Sequence, residues 1–201
     1  MPGVNDYRNI RFHPYNIMLI LLLAGLSMIF VAVSGAYLYT RYTSGAVPIN
    51  IPTIFLFNTW ILIGSSLTMR RAKHHYENDS TLGYQQMLLA TLVLSLLFMG
   101  LQFVGWGHLL RDNPNLTVSN MAAYIYAVSV LHFIHIVGGI PFLFIFTYVA
   151  YLRMKEPVSV FVYFSDPLKR LKLRLLTLYW HFLDILWVYI VLFFYLNYLF
   201  S

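Results

Sequence analysis

Long apolar stretches alternate with short polar segments along this chain. Five of the apolar stretches reach the roughly 17–25 residues that an α-helix needs to cross the hydrocarbon core of a bilayer. They cover residues 17–39, 53–69, 87–107, 122–152 and 175–200. The fourth exceeds the length required, so we expect it to tilt or to extend beyond the membrane. The pattern predicts an all-α polytopic membrane bundle with five transmembrane helices.

One apolar stretch is too short to span a bilayer. The segment between Pro157 and Pro167 is apolar and aromatic, yet charged residues bound it on both sides. Two interpretations fit this pattern: the segment lies at the membrane interface or against a neighbouring subunit, or it is a long loop. No internal repeat or linker divides the chain, so residues 1–201 are expected to form a single transmembrane domain.

Composition and charge agree with membrane embedding. Of the 201 residues, 60% are hydrophobic and only 10% are charged, too few charges for a soluble domain of this size. The net charge of +6 does not indicate nucleic-acid binding, because the basic residues lie between the apolar stretches.

Arg41 and Arg111 lie on one side of the predicted membrane, and the other eleven basic residues lie on the opposite side. The positive-inside rule therefore predicts a cytoplasmic N-terminus and a periplasmic C-terminus. The eleven residues are Arg8, Arg11, Arg70, Arg71, Lys73, Arg153, Lys155, Lys169, Arg170, Lys172 and Arg174.

Asp184 is the only carboxylate inside a predicted span. A charged side chain at the centre of a spanning helix costs roughly 2.5–3.5 kcal/mol on insertion scales, so it normally faces protein or water. His181 and Trp180, three and four residues earlier, lie on the same helical face. The spans hold no second acid and no lysine, which argues against an ion-coupled pump with its own relay and excludes a di-iron carboxylate site.

Histidines are the remaining candidates for chemistry. His132 and His135 are three residues apart and share one face of the fourth span. Together with His181 they could ligate a haem or a metal, which makes a small b-type membrane cytochrome one hypothesis. The other interpretation is that these imidazoles hydrogen-bond Asp184, the backbone or each other.

Other polar residues in the spans are expected to join helices. Interhelical hydrogen bonds are predicted for Asn58 and Thr59 of the second span and for Gln102 and Trp106 of the third. Ser129 lies near His132, but no Gly-x-Ser-x-Gly elbow surrounds it, so a serine hydrolase is a weak alternative.

Five blocks of the sequence resemble a known family when taken in order. The last block, Tyr-Trp-His-Phe-x-Asp-x-x-Trp, is the most specific. The blocks are Ala36 to Arg41, Phe57 to Ser66, Gly100 to Phe103, His132 to Gly138 and Tyr179 to Trp187. With them the chain resembles the cytochrome c oxidase subunit III family of the haem–copper terminal oxidases, in its short five-helix bacterial form. The resemblance covers about residues 17 to 198.

The resemblance implies a non-catalytic accessory role in a proton-pumping terminal oxidase of aerobic respiration, which reduces oxygen to water. Such a subunit packs directly against subunit I, holds structural phospholipids and supports sustained turnover and proton uptake. It carries no haem, copper or other cofactor of its own, since haem and copper belong to partner subunits. Subunit II, other respiratory-complex subunits and a quinol:cytochrome c reductase supercomplex are further implied partners, and nucleic acid is not. The implied location is the bacterial cytoplasmic membrane. Cytochrome c and quinol both stay open as electron donors, and an accessory protein of nitric oxide reductase is an alternative.

The resemblance also directs the choice of site residues. We predict that a buried structural network without catalytic function joins helices four and five. Its members are His132, His135, Trp180, His181 and Asp184. Arg41, Trp60 and Arg174 are predicted contacts for lipid head groups.

Two acids common in the family are missing from this chain. Residues 25–30 contain no counterpart of a glutamate that many members bury in this helix. A second common glutamate, three residues after Gln102, is replaced by Gly105. We therefore expect no role that depends on these two carboxylates.

Overall fold

A computed structural model describes residues 14–200, apart from 47, 50 and 113–120. The described part is entirely helical apart from turns and connections. Its helices are α1 (Pro14–Ser44), α2 (Thr53–Glu77), α3 (Thr81–Asp112), α4 (Met121–Arg153), α5 (Pro157–Ser165) and α6 (Pro167–Leu199). Arg8 and Arg11, which contribute to the predicted orientation, lie outside the described residues.

Four helices, α1, α3, α4 and α6, are long and apolar enough to cross a membrane. They contain the predicted spans 17–39, 87–107 and 122–152 and nearly all of 175–200. The predicted span 53–69 forms the first two thirds of α2. This helix has a lower mean hydropathy than α1, α3, α4 and α6, because polar residues such as Asn58 and Ser65 interrupt its apolar sequence. A helical membrane bundle is thus confirmed, with four helices that meet the criteria for a span in the described part of the chain.

Residues between Pro157 and Pro167 form a helix, so the loop interpretation of this segment is wrong. Pro157 occupies the first turn of α5, where its missing N–H costs no hydrogen bond. Pro167 likewise begins α6, and the Asp166 side chain caps that helix by accepting from the N–H groups of Leu168 and Lys169. The two helices therefore begin at local signals that the sequence carries.

α2 and α3 form the closest helix pair and run antiparallel, joined by a short turn at residues 78–80. Hydrogen bonds cross their interface at three levels. The paired side chains are Asn58 and Gln102 at 3.0 Å, Ser65 and Ser95 at 3.4 Å, and Thr68 and Thr91 at 2.9 Å. Small and hydroxyl-bearing residues let helix backbones approach closely where lipid supplies no hydrophobic force between helices.

Three polar contacts connect α1 to α6, and these two helices run parallel. Arg174 donates to Asn16 at 3.0 Å near the start of both helices, and Arg41 donates to Asn197 at 2.8 Å near their ends. The Tyr189 hydroxyl donates to Ser34 between them at 3.0 Å. Most large apolar side chains of α1 point away from the bundle. α1 is therefore held to the bundle at a few polar points, which leaves room for a groove beside it.

Gly105 provides a first prediction, because its Cα faces α2 without space for a side chain. A Cβ at this position would overlap the ring of Phe55 and lie 2.9 Å from Cγ2 of Ile54. We expect Gly105→Ala to lower the free energy of unfolding by about 1–3 kcal/mol, the usual cost of overpacking. The measurement is the thermal unfolding of the purified protein in detergent.

The matched control is Gly100→Ala, one turn and a half earlier in α3. A Cβ at Gly100 would have no neighbour within 4 Å. Alanine is the better helix former by about 1 kcal/mol, so this variant should be as stable as the original protein or slightly more stable. Equal destabilisation of both variants would contradict the proposed contact at Gly105.

Candidate interhelical site on α6

Trp180 is the first polar link from the middle of α6 to α2. Its indole N–H donates to the hydroxyl oxygen of Ser65 at 3.1 Å, and Ser65 lies 3.4 Å from Ser95 of α3. The indole ring itself is buried among apolar side chains. Trp180 thus connects three helices through a single buried hydroxyl group.

His181 and Asp184 lie beside the next serine of α2. Nδ1 of His181 is 2.7 Å from the hydroxyl oxygen of Ser66. The same nitrogen lies 4.0 Å from Oδ2 of Asp184. His181 therefore lies against both Ser66 of α2 and the carboxyl group on its own helix.

Asp184 is only 7% exposed, although it is an acid in a membrane-spanning helix. Oδ2 of its carboxyl group has no hydrogen-bond partner among the described residues. The side chain therefore faces protein rather than lipid, as its sequence context predicts.

His132 and His135 have different surroundings from this group. His132 is fully buried, with its ring 5.1 Å from that of Trp187 and 6.1 Å from that of Phe98, and neither ring nitrogen has a hydrogen-bond partner in the described part of the chain. Nδ1 of His135 lies 2.6 Å from the carbonyl oxygen of Leu131. The structure thus brings Trp180, His181 and Asp184 together with Ser65 and Ser66, and connects His132 to them only through apolar packing.

The predicted interhelical hydrogen bonds are confirmed for the second and third spans. Asn58 donates to Gln102, and the Trp187 indole donates to Thr59 at 3.2 Å. The Trp106 indole donates to Ser129 at 2.8 Å, and the Ser129 hydroxyl in turn donates to the carbonyl oxygen of Tyr126. The Ser129 proton is thus bonded to a backbone carbonyl and not to a histidine, so Ser129 is not arranged as a nucleophile activated by histidine.

A groove runs beside this site, between α1, α2 and α6. Its volume is about 390 Å³. Apolar side chains dominate the walls, His181 lies within the groove, and Lys73 and Arg174 supply two positive charges. The lining residues are Leu23, Lys73, Arg174, Thr177, Leu178, His181, Phe182 and Ile185.

Among the three predicted lipid contacts, Arg174 alone lines this groove. Arg41 lies near the opposite end of α1, where it hydrogen-bonds Asn197, and Trp60 is 72% exposed on α2. Lys73 lies outside the predicted spans, but α2 continues to Glu77 and brings Lys73 to the same groove as Arg174. Its position four residues before Glu77, with which it forms an ion pair at 3.8 Å, is the sequence signal for that helical extension.

Comparison with known proteins assigns the family. The family model for cytochrome c oxidase subunit III matches residues 15–198, nearly the whole chain. The chain belongs to the cytochrome c oxidase subunit III family. Members of this family are accessory subunits of haem–copper oxidases, and this subunit III chain is a multi-pass membrane protein.

Bacterial relatives of this subunit III chain come from more than one class of oxidase. Cytochrome c oxidase subunit 3 of Bacillus sp. (strain PS3) is 26% identical over 175 residues, which cover 85% of this chain and 79% of that protein. The corresponding protein of Bacillus subtilis (strain 168) is 26% identical over 178 residues, covering 85% and 80%. Cytochrome bo(3) ubiquinol oxidase subunit 3 of Buchnera aphidicola subsp. Baizongia pistaciae is 26% identical over 143 residues, covering 71% and 69%.

In the described part of this subunit III chain, the side chains that could bind a metal lie apart from one another. Within the described ranges, no three His, Cys, Asp or Glu side chains lie close enough together to hold a metal ion. Bis-histidine ligation of a haem, as in the b-type cytochrome hypothesis, needs two imidazoles that face each other. Here His181 faces Ser66, His132 packs against the rings of Trp187 and Phe98, and His135 is bonded to its own helix. The arrangement therefore suits helix packing better than cofactor ligation.

Proposed function

We propose that this chain is a non-catalytic subunit of a proton-pumping haem–copper terminal oxidase in a bacterial cytoplasmic membrane. In this role it packs against subunit I, holds structural phospholipid and supports sustained turnover and proton uptake by the holoenzyme. The groove between α1, α2 and α6 is the observation that carries the proposal, because it combines apolar walls with two cations. The matched relatives are named as oxidase subunits, which favours an oxidase over nitric oxide reductase as the partner.

The proposed role is the same for cytochrome c and quinol oxidases. Relatives from a cytochrome c oxidase and from a ubiquinol oxidase are equally similar to this chain, at 26% identity. Electron entry takes place in other subunits of these enzymes. A subunit that stabilises the complex and holds phospholipid therefore needs no feature specific to the electron donor.

We further propose that α2 is the fifth membrane span, with the N-terminus cytoplasmic and the C-terminus periplasmic. The contacts of Asn58, Ser65 and Thr68 follow α3 from Gln102 back to Thr91, within the apolar part of that helix. The polar residues of α2 are thereby directed toward α3 and α6 and away from lipid. The excess of basic residues on the side of the α2–α3 turn supports the orientation.

The groove suits one acyl chain and an anionic head group. Leu23, Leu178, Phe182 and Ile185 offer an apolar surface along its length. Lys73 and Arg174 come from different helices and lie near the same end of the bundle. A basic residue near the membrane surface contributes about 1 kcal/mol to the attraction of an anionic lipid. A phospholipid in this groove would join α1 to the rest of the bundle.

The lipid role is tested by Lys73→Gln combined with Arg174→Gln. We expect the purified oxidase to retain less anionic phospholipid, measured by mass spectrometry of the extracted lipids, and to lose activity sooner during sustained turnover. Arg71→Gln is the matched control, because Arg71 is exposed on α2 and does not line the groove. Unchanged lipid content in the double variant would contradict the lipid role.

The assembly role is tested separately. An affinity tag on this chain should copurify subunits I and II of an oxidase from native membranes. The visible absorption spectrum of the purified single chain should lack a Soret band. A Soret band that disappears on replacing His132 or His181 would overturn the accessory role in favour of a b-type cytochrome.

A further inference from the structure

Helix α5 has two different faces. Val160, Tyr163 and Phe164 pack against the second buried cluster of the protein, beneath the ends of α2, α3 and α4. Three apolar side chains on the opposite face are largely exposed. Val158 is 75% exposed, Phe161 74% and Val162 59%. Positions 158, 161 and 162 follow the i, i+3, i+4 spacing of one helical face, which we call the α5 outer face.

The bundle holds α5 firmly in this orientation. The Tyr163 hydroxyl lies 3.4 Å from that of Tyr84, and the Tyr76 hydroxyl donates to the Tyr163 carbonyl oxygen at 3.3 Å. Burial raises the pKa of Tyr163, in keeping with a hydroxyl removed from water. Lys169 lies over the other side of the Tyr163 ring, 4.2 Å from its centroid. These contacts of Tyr163 keep the α5 outer face directed away from the bundle.

The position of α5 between two spanning helices determines its depth in the membrane. It connects the end of α4 to the start of α6 and lies beside the α2–α3 turn. Each bilayer face has an interfacial layer of roughly 5–8 Å outside the hydrocarbon core. A helix that lies across the ends of spanning helices, with apolar residues directed outward, fits that layer.

The charges around α5 indicate which surface it contacts. Between residues 153 and 172 there are five basic residues against two acidic ones, and Asp166 is already engaged in capping α6. The five are Arg153, Lys155, Lys169, Arg170 and Lys172. Protein interfaces are depleted in lysine, whereas apolar side chains flanked by basic residues are typical of interfacial helices on anionic lipid.

We propose that α5 is an interfacial anchor whose outer face inserts into the head-group layer of the adjacent membrane leaflet, with a preference for anionic phospholipid. Phe161 supplies the largest apolar surface at the centre of this face. The surrounding lysines and arginines contact lipid phosphates. In this way the anchor holds the α4–α6 connection at a defined depth.

The experiment uses single cysteines, because the chain has none of its own. A nitroxide label on Phe161→Cys reports depth through its relative accessibility to oxygen, which enters lipid, and to a nickel chelate, which stays in water. Val93→Cys on the exposed face of α3 is the lipid reference, and Asn78→Cys in the α2–α3 turn is the water reference. The full chain is placed in nanodiscs of phosphatidylcholine with phosphatidylglycerol, and the same labels are read in the complete oxidase.

The proposal expects the oxygen-to-nickel accessibility ratio at position 161 to lie nearer to that at 93 than to that at 78, in the chain and in the oxidase. Val158→Cys on the same face should agree with it. A ratio like that at 78 would overturn the proposal. So would a label in the oxidase that both reagents fail to reach, because a partner protein would then cover the face. Replacing phosphatidylglycerol by phosphatidylcholine should shift the ratio toward water, and an unchanged ratio would refute the preference for anionic lipid.

Discussion

Replacing Trp187 by alanine is expected to lower the free energy of unfolding by about 3–5 kcal/mol, the range for large buried aromatic side chains. Trp187 is fully buried at the centre of the bundle. Its ring lies against those of Phe55 at 5.6 Å, Phe98 at 5.1 Å and His132 at 5.1 Å, and its N–H donates to Thr59. The variant would lose contacts to α2, α3 and α4 together. Because lipid is as apolar as the side chain, the loss is mainly one of packing.

The matched control is the same substitution at Trp60. That side chain is 72% exposed on α2, so Trp60→Ala should change the stability of the isolated protein by about 0.5 kcal/mol or less. Thermal unfolding in detergent, followed by circular dichroism, measures both variants. A similar loss for the two tryptophans would mean that Trp187 is not the centre of packing.

Asp184→Asn is expected to lower stability by about 1–3 kcal/mol, the cost of a buried polar group without a suitable partner. The substitution preserves volume, but it replaces one carboxyl oxygen, an acceptor, by an NH₂ group that only donates. The Oδ2 position affected is buried, 4.0 Å from Nδ1 of His181, and has no partner there among the described residues. We also expect less of the variant chain to copurify with oxidase subunit I, since α6 contacts every other described helix.

Two comparisons distinguish a stabilising polar network around Asp184 from the burial of its side chain alone. Asp112→Asn is the control for charge, because Asp112 is exposed at the end of α3 and should tolerate the change. A double-mutant cycle of Asp184→Asn with Ser66→Ala should give a coupling energy of about 0.5–3 kcal/mol, as for residues in one hydrogen-bond network. Strict additivity of the two changes, or full stability of Asp184→Asn, would show that the predicted network does not stabilise the protein.

Much of the fold follows from local sequence signals. Hydrophobic runs predict the spanning helices, because a backbone in lipid must satisfy its hydrogen bonds within the helix. The ends of these helices are predicted less well. α2 continues past residue 69 to Glu77 and α6 begins at Pro167 rather than near 175, because a helix can extend into water without any apolar run. The helical state of α5 was equally open, since nine residues are too few to define a period.

The candidate site was predictable only in part. Helical spacing alone places Trp180, His181 and Asp184 on adjacent parts of one face, and the cost of a buried acid indicates that this face contacts protein. The same spacing joins His132 to His135, yet the structure directs one ring toward Trp187 and the other toward its own backbone. The orientation of a helix about its own axis depends on all the helices packed against it. No local sequence signal therefore predicts which neighbour each side chain contacts.

The sequence by itself determined the class of protein, the membrane-embedded helices, the family and the polar face of α6. These properties depend on local hydrophobicity and on residues close together in the chain. Only the tertiary structure decided that Ser66 contacts His181, that Lys73 and Arg174 line the same groove, and that Phe161 on α5 points outward. Each of these depends on how helices distant in sequence pack side by side, where close contact and hydrogen-bond geometry select one arrangement among many.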